Sequence, residues 1–105
     1  MRLWFRSVDS EKLLLKRCSE GNAEAQQEFA TSSYVGAIQR TVRLILAEDY
    51  SPELIERVAT LCAFHIYKFW SVLPSATEDL HTSIRKAATA FAINYRKREL
   101  RARKP

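Results

Sequence analysis

The chain has 105 residues, 47% apolar and 28% charged, which bounds it to a single small globular domain spanning 1–105 and excludes a disordered segment. A chain this short builds one modest core but no large catalytic cleft. With only two glycines and three prolines, long helices joined by short loops are expected, and a strand-rich fold is not. The net charge of +5 is unevenly placed. From Arg85 onward there are eight basic residues against Glu99 alone, whereas the preceding 84 residues hold nine basic and eleven acidic ones. A near-neutral body with a cationic end, densest over 96–105, suits a polyanion: nucleic acid first, anionic membrane second. Lysine and arginine also favour helix C-termini, but this run is longer than one helical turn needs.

In chain order, Leu3-Trp4-Phe5 is too short for the apolar core of a signal peptide. Asp9 or Ser10 is positioned to cap a first helix through about Ser19, carrying Leu13, Leu14 and Leu15. Gly21 ends it. Asn22 then caps a second helix, with Glu24 in its first turn and Ala25 and Phe29 on its apolar face. Thr31-Ser32-Ser33 reads as a break. A third helix is expected over 34–47, because Val35, Ile38, Val42 and Ile45 recur at the helical period, with Arg40 and Arg43 off that stripe.

Ser51-Pro52-Glu53 is a helix start: a capping hydroxyl, proline at the first helical position, then an acid. The fourth helix is expected to reach Trp70 and to bury Leu54, Val58, Leu61, Cys62, His65 and Phe69. Phe64, Ile66, Tyr67 and Trp70 spill beyond that face, which marks a central helix, the commoner case, or one that meets a partner. After a loop over 71–77, Ser75 and Glu78 form a capping box for a last helix. Its face is traced by Leu80, Ile84, Ala87, Phe91 and Asn94 or Tyr95, and Ala87, Ala88, Ala90 and Ala92 permit close helix approach.

The chemistry is sparse. Cys18 and Cys62 are far apart among apolar neighbours and read as reduced core thiols of a cytoplasmic protein. His65 and His81 lack ligand spacing, so neither metal nor cofactor is expected. No nucleophile elbow and no glycine-rich phosphate loop is present, and an enzyme is not expected. No run approaches membrane-spanning length.

The order of elements is recognisable. Residues 13–29, with Leu13-Leu14-Leu15 and Gly21-Asn22 followed by Ala25 and Phe29, resemble the opening of extracytoplasmic-function sigma factors of the sigma-70 family. Glu53-Leu54-Ile55-Glu56-Arg57-Val58 resembles the start of that family's central helix. The stretch from Ile84 to Arg98 resembles its closing helix. The resemblance covers about residues 10–103 and implies an all-α bundle of four to five helices, region 2 of a sigma factor. The family's usual glutamine, tryptophan, asparagine and aspartate are here Glu56, Ser83, Ala90 and Asn94.

The resemblance implies two jobs. One helix docks on the clamp helices of RNA polymerase core, for which Glu53, Glu56 and Arg57 are the candidates. The adjoining helix and loop capture the non-template strand of the −10 promoter element, the loop over 71–77 matching the family's base-capturing loop in position, with Arg85, Lys86, Arg96, Lys97 and Arg98 as the candidates for phosphate contact. Trp70, Tyr95 and Tyr67 are candidates to stack unpaired bases, although aromatics at helical spacing are more often core. An anti-sigma factor is a further partner the resemblance allows; a membrane is not expected. The departures support an alternative: a sigma-like interaction module that binds polymerase or an anti-sigma partner without opening DNA. An unrelated bundle with a basic tail for RNA or anionic membrane would explain the tail alone.

Overall fold

The computed structural model describes residues 8–73 and 79–103, which form an all-α bundle with no strand among the described residues. Helix α1 (Val8–Ser19) starts one residue ahead of Asp9, so Asp9 and Ser10 stand inside its first turn rather than before it. Its end is as expected. Gly21 has φ 87°, its N–H donates to Cys18 O at 3.1 Å, and the Asn22 N–H donates to Arg17 O at 3.1 Å. That pair of bonds is the Schellman closure, and it requires the left-handed residue glycine supplies. Asn22 then caps α2 (Ala23–Ala30), its Oδ1 accepting the Ala25 N–H at 2.9 Å. One residue thus closes one helix and opens the next.

Helix α3 (Ser33–Leu46) begins a residue earlier than the pattern predicts, so the break narrows to Thr31-Ser32. Ser32 does not cap it, because its hydroxyl donates back to Phe29 O at 2.6 Å. Ile38 and Val42 are buried as expected, Val35 and Ile45 are half-buried, and Ala37 and Leu46 join the core. Arg40 and Arg43 are exposed, off the stripe.

Helix α4 (Pro52–Lys68) starts where the Ser-Pro-Glu signal puts it, with Ser51 Oγ accepting the Leu54 N–H at 3.2 Å. It stops short of Trp70. Phe69 leaves helical geometry at φ −110°, ψ 37°, and Trp70–Val72 form a single 3-10 turn across the junction of the expected helix and loop. Its inner face also differs from expectation. Ile55, Val58, Ala59, Cys62 and Ile66 are buried, while Leu61, His65 and Phe69 are exposed and Leu54 is half-buried. Positions 55, 59, 62 and 66 form a proper helical stripe, and the small Ala59 lets α4 approach its neighbours closely. Helices α1, α3 and α5 all pack on α4, which accounts for apolar side chains beyond one face.

Helix α5 (Leu80–Arg103) is capped by Asp79, whose Oδ1 accepts the Thr82 N–H at 2.7 Å. Ser75 and Glu78, expected as its capping box, lie outside the described residues, as do Leu3-Trp4-Phe5 and Lys104. Leu80, Ser83, Ile84, Ala88 and Ala92 are buried; Ala87, Phe91 and Tyr95 are half-buried, and Asn94 is exposed. Alanines fill the inner stripe, so α5 can lie close against the fold. It runs parallel to α3. Ser33 and Tyr34 meet His81 at the start, with Ser33 Oγ 3.1 Å from His81 Nε2 and the two rings 4.4 Å apart. Tyr50 meets Tyr95 at the other end, rings 6.1 Å apart. Against α4 it runs antiparallel, His65 and Phe69 lying beside Ala87 and Ala90, and Leu61 beside Tyr95 and Ala102.

Candidate nucleic-acid and partner interface

The cationic residues come from the outer surface of α5. Arg85, Lys86, Arg96, Lys97, Arg98 and Arg101 are all exposed. Ala92 is the last buried residue of the helix among those whose burial is described, and the turns after it pack on the core through Tyr95 and carry the charge. The cations do not form one stripe. Lys86, Lys97 and Arg101 lie within about 60° of one another around the axis and face outward. Arg85 and Arg96 form a second row on the α3 side. Arg96 Nη2 is 3.4 Å from Asp49 Oδ2, an ion pair with both side chains more than two-fifths exposed. Arg98, two residues on and about 160° around the helix, lies on the α4 side, where it borders grooves shared with Leu61, His65 and Phe91. A helix end wrapped in charge contacts a flexible polyanion through electrostatics rather than through one fixed register.

The aromatic candidates are placed differently. Trp70, Tyr67 and Tyr95 are half-buried and packed against the core. Tyr67 meets Phe29 edge-on at 5.9 Å, and burial pushes its hydroxyl pKa up. These rings brace the bundle, and only the edges left by the core face solvent.

The polymerase candidates cluster on the first turns of α4. Glu53, Glu56 and Arg57 are exposed and border one open depression with Thr60 and Leu61. Leu61 is 60% exposed there, a large apolar side chain ringed by charge. Glu56 also edges a cavity of about 420 Å³ between α3 and α4, floored by Tyr50, Ile55 and Ala59 and rimmed by Gln39 and Arg43. The charged candidates thus surround Leu61, which the sequence pattern placed inside the core, and Glu56 also borders a hollow that the sequence did not single out.

A groove along the α4–α5 seam was also missed. His65, Phe69 and Phe91 line it, the His65 ring 4.7 Å from Phe69 and 5.2 Å from Phe91. The signal that exposes it is the rival stripe of Ile55, Ala59, Cys62 and Ile66: once those face the core, Leu61 and His65 cannot.

The remaining chemistry is structural. Cys18 and Cys62 are buried and unpaired, and burial pushes both thiols up, Cys62 to about 12. The backbone N–H and side chain of Thr82 hold the Asp79 carboxyl below its usual value. No cluster of metal-ligating side chains occurs among the described residues, and no described helix is long and apolar enough to cross a membrane. Comparison with known families, with curated proteins and with solved structures gives no match to this chain.

Proposed function

We propose that this chain is a sigma-region-2-like transcription initiation module, cytoplasmic and not an enzyme. In this reading α4 docks on RNA polymerase core through Glu53, Glu56, Arg57 and the neighbouring Leu61, and the α5 cations hold the non-template strand of the −10 element. The observation that carries it is the uncovered face of α4. Leu61 is exposed amid Glu53, Glu56 and Arg57 on the helix against which α1, α3 and α5 pack. A large apolar side chain inside a charged ring is the usual make-up of a docking centre and rim. The cationic turns of α5 begin beside it, Arg98 sharing a groove with Leu61.

The alternative, a sigma-like module that binds polymerase or an anti-sigma partner without melting DNA, also has an observation in its favour. Trp70, Tyr67 and Tyr95 pack on the core, and Ser83, at the family's tryptophan position, is buried against it. Few rings are left to receive flipped bases, whose unstacking costs a few kcal/mol each that binding must recover.

The test is capture of RNA polymerase core by the purified chain, paired with binding to a single-stranded −10-type oligonucleotide and a scrambled one at two salt concentrations. Core capture with preference for the −10 strand is the expected result. Core capture without preference selects the interaction module. Salt-sensitive binding to both oligonucleotides without core capture defeats the sigma-like reading altogether.

A further inference from the structure

The outer face of α4 holds more than the depression at its start. Buried Ile55, Val58, Ala59, Cys62 and Ile66 fix the inner side of the helix. Glu53, Arg57, Thr60, Leu61, Phe64 and Lys68 lie on the opposite side, all exposed. They occupy about 100° of arc and about 22 Å of axis. We propose that this stripe pairs with its own copy. In that pairing α4 of a second chain lies antiparallel across it, with Leu61 meeting Leu61 at the dyad, Arg57 facing Phe64, and Glu53 facing Lys68 of the other copy.

The face has the relief and the apolar content of a helix-packing surface. Leu61 is 60% exposed and Phe64 49%. Together they form a ridge with a hollow on each side. Thr60, Ala63 and Phe64 border one of about 370 Å³, shared with α2 and α3. Val58 and Leu61 border another of about 410 Å³, shared with α5. A ridge between two hollows is the relief with which an opposing helix interdigitates.

The occupant follows from the order of charges. Turned end for end, the stripe meets itself, because positions 53 and 68, 57 and 64, and 60 and 61 are equally distant from its centre. Acid then meets base at both ends, each Arg57 is offered an aromatic face, and leucine packs on leucine. A parallel alignment would set Glu53 on Glu53 and Lys68 on Lys68, so charge also selects the orientation. Lys68 already lies over Phe64, its Nζ 5.6 Å from the ring centroid, which holds the ammonium along the stripe. Glu53 and Glu56 balance Arg57 and Lys68, so none of the net charge of +5 resides on this face. A single helix face is smaller than the roughly 800 Å² per partner of a standard interface, so the association is weak and reversible.

The pairing rests on this stripe alone and holds whether or not the transcription reading does; a partner docking at Glu56 and Arg57 would have to displace the second copy. Its test is sedimentation equilibrium of the full chain over a hundredfold range of concentration. The expected result is a reversible monomer–dimer equilibrium with Kd on the order of 10–100 µM. Leu61→Glu should weaken it at least tenfold. Glu53→Lys and Lys68→Glu should each weaken it at least fivefold. An equimolar mixture of those two variants should recover the parental affinity, since the mixed pair sets acid against base at both ends. A chain that stays monomeric at about 500 µM, well above that range, overturns the proposal and leaves the stripe to a separate partner. A dimer indifferent to Leu61→Glu overturns it too, because another face is then in use. Loss in the single variants without recovery on mixing refutes the antiparallel register. Should a variant lose its helical circular dichroism, oxidative cross-linking decides the matter. Leu61→Cys should form a covalent dimer at least fivefold faster than Leu44→Cys, which places the thiol at a position 84% exposed on α3. Equal rates for the two refute the pairing.

Discussion

Arg96 and Asp49 meet at 3.4 Å, tying the charged end of α5 to the segment that follows α3. One cation of the proposed strand-binding set is therefore partly neutralised by the body of the fold. With both side chains more than two-fifths exposed, the pair is worth under about 1 kcal/mol, so it biases binding without locking the helix. Asp49→Asn is expected to raise affinity for single-stranded DNA two- to threefold at low salt. The converse variant, Lys97→Glu with Arg98→Glu, should lower it at least tenfold while leaving the far-ultraviolet circular dichroism unchanged. Fluorescence anisotropy titrations across a salt series check both. If Arg96, Lys97, Arg98 and Arg101 each meet a phosphate, log K against log salt should slope about −3. A flat salt dependence would remove the helix from the site.

The α4 docking face makes a separate prediction. Glu56→Arg combined with Arg57→Glu inverts the local pattern without touching a buried side chain. Surface changes of this kind move stability by no more than about 0.5 kcal/mol, so the melting temperature should hold. Capture of polymerase core should drop at least tenfold. Leu61→Ser should act in the same direction, because it removes the apolar centre of the depression. Retained capture in both variants would move the docking surface elsewhere.

The buried thiols predict how stability depends on pH. Burial raises the Cys62 thiol from an ordinary value near 9 to about 12, and Cys18 shifts in the same direction. In the unfolded chain these thiols lose their protons first, so the unfolded state binds fewer protons above pH 9 and stability falls with rising pH. Their contribution is fully present below about pH 9 and is lost as pH climbs toward 12. For Cys62 it amounts to a few kcal/mol. Urea midpoints at pH 7.5 and pH 10.5 should show the decline, and Cys62→Ala should flatten it even though the cavity it leaves lowers the baseline. Neither thiol should react with iodoacetamide faster than the chain unfolds.

Gly21 supplies a stability prediction with little confounding. A Cβ built there meets nothing within 4 Å, so steric crowding from neighbours plays no part. Only the backbone conformation at φ 87° matters. Gly21→Ala should cost about 1–2 kcal/mol, and Gly21→Asn less, because asparagine tolerates the left-handed region better. Denaturant midpoints for the two variants give the comparison, and an alanine variant as stable as the parent would contradict the Schellman closure.

These predictions also mark what was legible before the structure. Gly21, Asn22, Ser51 and Pro52 announce the helix ends because capping is local chemistry, set by a few neighbouring atoms. The face of α4 was harder. Hydrophobicity favours burying Leu61 and Phe69, yet helices on several sides of α4 select the row with Ala59 and Ile66, which no single-helix pattern reveals. In α5 the eye follows Phe91, whereas Ala88 and Ala92 hold the inner stripe. Tyr50, which follows α3 and lies off every helical stripe read from the sequence, is buried, since it packs towards Tyr95, 45 residues further on. The site candidates divide in the same way. Charge on the last turns of α5 could be read from composition, but its spread around the helix, the Asp49 pairing and the burial of the aromatic rings depend on contacts distant in sequence.

The parallel pairing of α3 with α5 bears on how the protein is made. Ser33 and His81 are 48 positions apart, so α3 leaves the ribosome long before its companion exists. At 5–20 residues per second, the nascent chain waits roughly 2–10 s before Leu80, Ile84, Ala88 and Ala92 can cover it. During translation, Ile38, Val42 and Leu46 stay without their final cover. A slowly translated or truncated message would therefore yield a sticky intermediate, and the last quarter of the chain would act as the latch that completes folding as well as the bearer of the charge.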